Sequence, residues 1–184
     1  MTTAPAMTTG PAIAAVSAAI GLRLARAADT VPGARFRHGL AGSKGAELAL
    51  TLFRLRPVAA EVADVAGREP DPTGIRRAST LELDYLVAAF GREDRYEPDR
   101  LIAAAMQEML DRPVIGPEEL AATIAARSFA LAGIDPASLG RPEIVTVELT
   151  PADLAALGQR FATAIGGATA AYRVRGLAFP ASRA

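Results

Sequence analysis

The chain has no cysteine and no tryptophan, and it holds one histidine and one lysine in 184 residues. Without cysteine, disulfides, thiolate nucleophiles, zinc–cysteine sites and iron–sulfur ligation are all excluded. His38 alone leaves no room for a histidine-rich metal site or a two-histidine relay, so neither a metal nor a cofactor is expected. The lack of disulfides fits a cytoplasmic protein. Neither sign of charge is in excess: 20 basic residues balance 20 acidic ones. That balance argues against a chain whose main task is to bind nucleic acid or an anionic membrane. Lys44 is the only lysine, so nineteen basic residues are arginine, beside 42 alanines. This pairing reads as genomic codon bias rather than as guanidinium chemistry. Aromatics are scarce at 5%, and much of the 51% hydrophobic content is small side chains. A chain of this length still buries roughly 70% of its unfolded surface and needs no covalent staple to fold.

At the N-terminus, positions 1–10 are expected to be a flexible leader, because Met1-Thr-Thr is echoed by Met7-Thr-Thr. Gly10 to Ala28 is apolar enough to suggest a signal peptide, but no basic residue precedes Arg23. Arg23 and Arg26 interrupt the stretch, which also reads as too short for a bilayer span; no membrane insertion is expected. Ile13, Val16, Ile20 and Leu24 fall on one face of a helix, and Pro11 suits its first turn. This predicts an amphipathic helix docked on a core.

Gly33–Gly45 (GARFRHGLAGSKG) carries Arg35, Arg37 and Lys44 and no acid. A phosphate-cradling loop would need GxxxxGK[S/T] leading into a helix, whereas Lys44 is followed by Gly45 and then a strand pattern. The segment reads as a solvated loop. Glu47 to Arg56 is apolar in both phases, as in a strand covered on both faces, and Pro57 is expected to end it. Within the long connection 58–79, AAEVADVA suits a short helical turn, while GREPDPTG, with Gly67, Pro70, Pro72 and Gly74, reads as an exposed excursion.

Thr80 to Phe90 alternates Leu81, Leu83, Tyr85 and Val87 against Glu82 and Asp84. Two carboxylates two apart on one strand face suit acid–base work or a cation site; the plainer reading is a solvated face paired with arginines. Glu97-Pro98-Asp99 opens a helix that buries Leu101, Ile102, Ala105, Met106 and Met109 and stops at Pro113. Pro117 opens another to about Arg127, followed by loop to Pro142. Ile144 to Leu149 is a strand by β-branching. Thr150-Pro-Ala-Asp153 is a capping box for a helix burying Leu154, Leu157 and Phe161, and Thr169 to Phe179 is the last strand. The fold expected is α/β: a single domain with a mixed sheet of about four main strands and three to four helices.

Three stretches in order carry a resemblance: Leu48 to Pro57 (LALTLFRLRP), Leu81 to Gly91 (LELDYLVAAFG) and Ala105 to Ile115 (AMQEMLDRPVI). With Leu154 to Val174 as a fourth block, the chain resembles the cap, or tail-terminator, proteins of phage-tail-like contractile injection systems. The relevant class is that of the antifeeding prophage and the Photorhabdus virulence cassettes. The resemblance covers roughly Ala12 to Pro180, and block order and spacing carry it rather than any single block. Two positions depart from the family's pattern: Asp84 stands where histidine is frequent, and Phe161 where tryptophan is.

The resemblance implies a phage tail-terminator-like domain over 11–180, a tail at 181–184, and no C-terminal extension. It implies a structural protein, not an enzyme, that terminates the inner tube and contractile sheath. It also implies a hexameric ring, contacts with sheath and tube proteins, and assembly in the cytoplasm into the particle. A tail-completion or connector protein of a contractile-tailed phage is the alternative, and an enzyme using Glu82 and Asp84 a more distant one. The candidate partner-contact residues are Arg173, Arg175, Arg35, Arg37 and Lys44. Thr169–Phe179 is the last element, so it is expected near a sheet edge. Two readings stand for it: the strand docks on the sheath or a neighbouring subunit, or its arginines solubilise and guard the edge; under the docking reading, reversing Arg173 and Arg175 to glutamate should leave stability within about 0.5 kcal/mol.

Overall fold

The computed structural model describes residues 9–39, 45–59, 79–131, 133–160 and 168–179. Positions 1–8, Lys44, the interior of the 58–79 connection, Phe161 and the tail 181–184 lie outside the described residues. The elements are α1 Thr9–Ala28, β1 Arg35–His38, β2 Glu47–Ala59, β3 Ser79–Phe90, α2 Glu97–Asp111, α3 Pro117–Ala126, α4 Ser128–Leu131, β4 Gly140–Val147, α5 Pro151–Arg160 and β5 Ala168–Phe179.

All five strands form one sheet in the order β1-β2-β3-β5-β4. The β1–β2 pair is parallel and the other three are antiparallel, so the sheet is mixed, as expected. The strand beyond the expected four is β1, inside the segment read as a solvated loop. Its glycines at 33 and 39, both in the left-handed region, confine the extended run to four residues. Pro57 does not end β2: it sits opposite Leu81 and the strand runs on to Ala59. β1 covers only Glu47 to Leu50 of β2, so the far half of β2 has an open side among the described residues, where a missing N–H costs nothing. β4 likewise begins earlier than expected, at Gly140. Gly140 pairs with Leu177 where the β4–β5 register shifts, and it and the adjoining Gly176 both have φ 75°. A Cβ on Gly140 would come within 3.1 Å of the Gly176 carbonyl oxygen, so a side chain is excluded there.

One sheet face carries the main core. Leu48, Leu50, Leu83, Tyr85, Val87 and Val174 meet Val16, Ile20 and Leu24 of α1 and Leu101, Ala105 and Met109 of α2. Met106 departs from expectation at 41% exposed, because one helical step of about 100° carries it off the 101/105/109 stripe. α1 is long and apolar enough to cross a membrane, contrary to the length argument. It is instead a core helix, mostly buried among the sheet, α2 and α3. On the opposite face a smaller cluster of Phe53, Leu86 and Leu157 holds α5. The α5 capping box forms as its sequence dictates: the Thr150 N–H donates to Asp153 Oδ2 at 2.9 Å, and the Asp153 N–H donates to Thr150 Oγ1 at 3.2 Å.

Candidate functional site

The α5 face of the sheet is charged, and its order follows from period-two alternation on neighbouring strands. Arg54 and Arg56 on β2 stand opposite Asp84 and Glu82 on β3. Asp84 stands opposite Arg173 on β5, and Arg175 opposite Glu143 on β4. Charge sign therefore alternates strand by strand. Arg173 grips Asp84 with two donors, Nε to Oδ1 at 2.7 Å and Nη2 to Oδ2 at 3.2 Å. Arg54 approaches the same carboxylate at 3.7 Å. Arg56 Nη2 donates to Glu82 Oε2 at 2.7 Å, and Arg175 Nε to Glu143 Oε2 at 3.0 Å. The carboxylates of Glu82 and Asp84 are thus held by arginines, the plainer of the two sequence readings. Asp84 is not solvated, however: it is 1% exposed beneath Arg54 and Arg173.

Arg173 and Arg175 are not near an edge. β5 lies between β3 and β4, because the last strand of the chain inserts into the sheet rather than adding to its side. Arg173 is three-quarters covered and tied to Asp84, so Arg173→Glu would set a third carboxylate against Asp84 and Glu82. The expectation of unchanged stability for the double reversal is therefore withdrawn. Arg175 is half exposed and remains reachable from solvent.

Arg35 and Arg37 lie at the far edge. On β1, Arg35 is exposed, and Arg37 reaches Glu47 at 3.3 Å. The partners of Phe36 and His38 are each other, edge to face at 5.0 Å, and Gly21 of α1. Burial against α1, with the Arg127 charge as a smaller influence, lowers the His38 pKa below its ordinary 6.5. The fold thus brings Arg173 and Arg175 onto one charged face and leaves Arg35 and Arg37 on a separate edge.

At the opposite edge the fold opens a cleft of about 280 Å³ between the end of α2 and β4. Met109, Leu110, Pro113, Ile144, Thr146 and Tyr172 are among its walls. Leu110 is 60% exposed there. The Tyr172 hydroxyl is buried with no hydrogen-bond partner among the described residues, and burial pushes its pKa up to about 12.

Sequence reasoning missed Arg23, the largest fully buried side chain. Its Nε and Nη2 donate to the two carboxylate oxygens of Glu119 on α3, at 2.7 and 2.5 Å. Nη2 also donates to the Val114 carbonyl at 3.0 Å, and Nη1 to the Arg112 carbonyl. Arg23 thereby fixes the 112–115 segment beside β4. The only sequence signal was a cation one residue from the apolar stripe of α1. Among the described residues no three His, Cys, Asp or Glu side chains group as metal ligands would. Among the described residues the arrangement presents paired charges beside α5 on one sheet face, with β1 and β4 at the two sides of the sheet.

The sequence profile of the Pvc16 N-terminal domain matches residues 16–175. No curated protein matches by sequence. In structure, the chain is similar to the "PVC sheath/tube terminator in extended state" of an extracellular contractile injection system. That likeness has a TM-score of 0.52 at 11% identity, over 97% of this chain and 58% of the other. It is also similar to the anti-feeding prophage cap, the "AFP tube terminating cap", with a TM-score of 0.42 at 10% identity, over 92% and 55%. At 11% identity the first likeness is one of fold, and this chain spans less than two thirds of either solved chain.

Proposed function

Because this chain belongs to the Pvc16 N-terminal domain family, we propose that it is a structural cap protein of an extracellular-type contractile injection system. In this role it ends the inner tube and the contractile sheath, fixes their length and stabilises the extended sheath. The observation that carries the reading is the family match over 16–175, joined to a shared fold with a chain described as a sheath/tube terminator. The partners are then the sheath protein, the inner tube protein and further copies of the chain in a hexameric ring, assembled in the cytoplasm. The role is mechanical rather than catalytic: the carboxylates that could have served chemistry spend their lone pairs on Arg54, Arg56 and Arg173. A net charge of zero fits a protein whose partners are protein surfaces rather than nucleic acid.

Gold labelling of a tagged copy in purified particles tests the reading. Label is expected at one end only, the end away from the baseplate. Label along the whole sheath, at the baseplate, or absent from the particles would overturn it.

A further inference from the structure

We infer that the segment 112–115, held in place by Arg23, is an edge guard that keeps β4 from pairing with a strand of another molecule. The inference goes beyond the cap reading and stands without it.

β4 is an outer strand of the sheet, and its free side needs cover. The Ile144 N–H donates to the Pro113 carbonyl at 2.6 Å, and the Ile115 N–H donates to the Pro142 carbonyl at 2.8 Å. Even-numbered residues of β4 therefore turn their backbone groups away from β5. A row of such groups left unpaired is a template for a strand of another chain. The local sequence sharpens that hazard. Ile144-Val-Thr-Val147 is a β-branched run with neither charge nor proline, and Leu110, beside Ile144 in the cleft, is 60% exposed.

The cover is short and self-terminating. Val114 bridges Glu143, with the two hydrogen bonds flanking that pair. Pro113 has no N–H to return to the Ile144 carbonyl, so the pairing ends there. With the segment in place, the next outward residue of β4 is Thr146, one position before the strand ends. Without it, the free side would run from Pro142 to Val147, long enough to receive a strand.

The segment has a second side of its own, and Arg23 closes it. Carbonyls alternate along an extended chain, so those of Arg112 and Val114 point away from β4. Arg23 Nη1 donates to the first, and Nη2 to the second at 3.0 Å. The guanidinium thus stands where a further strand would donate. It is fully buried, and Glu119 on α3 grips its Nε and Nη2 at 2.7 and 2.5 Å. The guard is therefore pinned from α1 and α3, and the charge is there to supply donors rather than to bind a ligand.

The double variant Arg23→Met/Glu119→Leu tests this on the isolated full chain. Exchanging a buried ion pair for apolar side chains of similar size preserves most of the stability, while the donors to the guard are lost. The Ile115 and Ile144 amides are expected to exchange at least about tenfold faster, with β3 and β5 still protected. Sedimentation should then show association that rises with concentration beyond the parent's. Adding Thr146→Pro, which removes an outward N–H, should return it to the parent's level. Unchanged protection at Ile115 and Ile144 would overturn the role of Arg23. Lost protection without added association, or association that survives Thr146→Pro, would overturn the guard. Should the double variant not fold, Arg23→Lys keeps the charge beside Glu119 but not the planar fork, and the same three outcomes decide.

Discussion

Arg23 carries a full charge into the core, and four acceptor atoms hold it there. A buried guanidinium without partners costs several kcal/mol, so the Glu119 carboxylate and the carbonyls of Arg112 and Val114 decide whether α1 and α3 can pack. Glu119 itself is a quarter exposed, which tempers the Coulomb part of the pair. Arg23→Ala should cost about 3 kcal/mol, since it opens a cavity and strands the carbonyls. Glu119→Gln keeps one acceptor oxygen but turns an NH2 donor toward an Arg23 N–H and removes the countercharge, so it should cost about 2–3 kcal/mol. Urea denaturation of the two variants measures both, and a loss below about 1 kcal/mol for Arg23→Ala would contradict the anchoring role. Such pairs resist reading from sequence because Arg23 and Glu119 are 96 positions apart. The faces of Asp84 and Arg173 were legible from alternation alone. That the two share a face required the strand order.

At the scale of elements, helices and long strands followed from pattern, whereas their neighbours in space did not. The core stripes of α1 and α2 and the capping box of α5 were legible because they depend on residues three or four apart. β1 was hidden because four residues between glycines carry no periodicity, and β5 was misplaced because chain order does not fix sheet order. β1 depends on Gly21: a Cβ there would meet His38 Nε2 and Phe36 Cε1 at 3.0 Å each. Gly21→Ala should be nearly neutral, as about 1 kcal/mol of helix propensity offsets that crowding. Gly21→Leu overpacks the site and should cost about 1–3 kcal/mol, mostly from β1. Hydrogen exchange should then speed up at the Arg35 and Gly39 amides while β3 and β5 stay protected. Equal loss of protection across the sheet would contradict this local role.

At the scale of the whole molecule, the described residues form a mixed sheet with α1 and α2 on one face and, on the other, α5 beside paired charges. The order and spacing of four sequence blocks pointed to the family before any contact was known, and the match over 16–175 agrees with it. What the blocks could not carry was the location of the surfaces, since Arg173 is largely occupied inside the sheet and Arg35 stands at its rim. A cap acts by occupying a growing end, so its loss should change a length distribution rather than remove a reaction product. The most direct measurement is the sheath length of particles, by electron microscopy, from a strain lacking this gene and from the same strain with the gene restored. Over-long, heterogeneous or collapsed sheaths that return to a single length on restoration are the predicted result; sheaths of normal length and stability without the gene would contradict it.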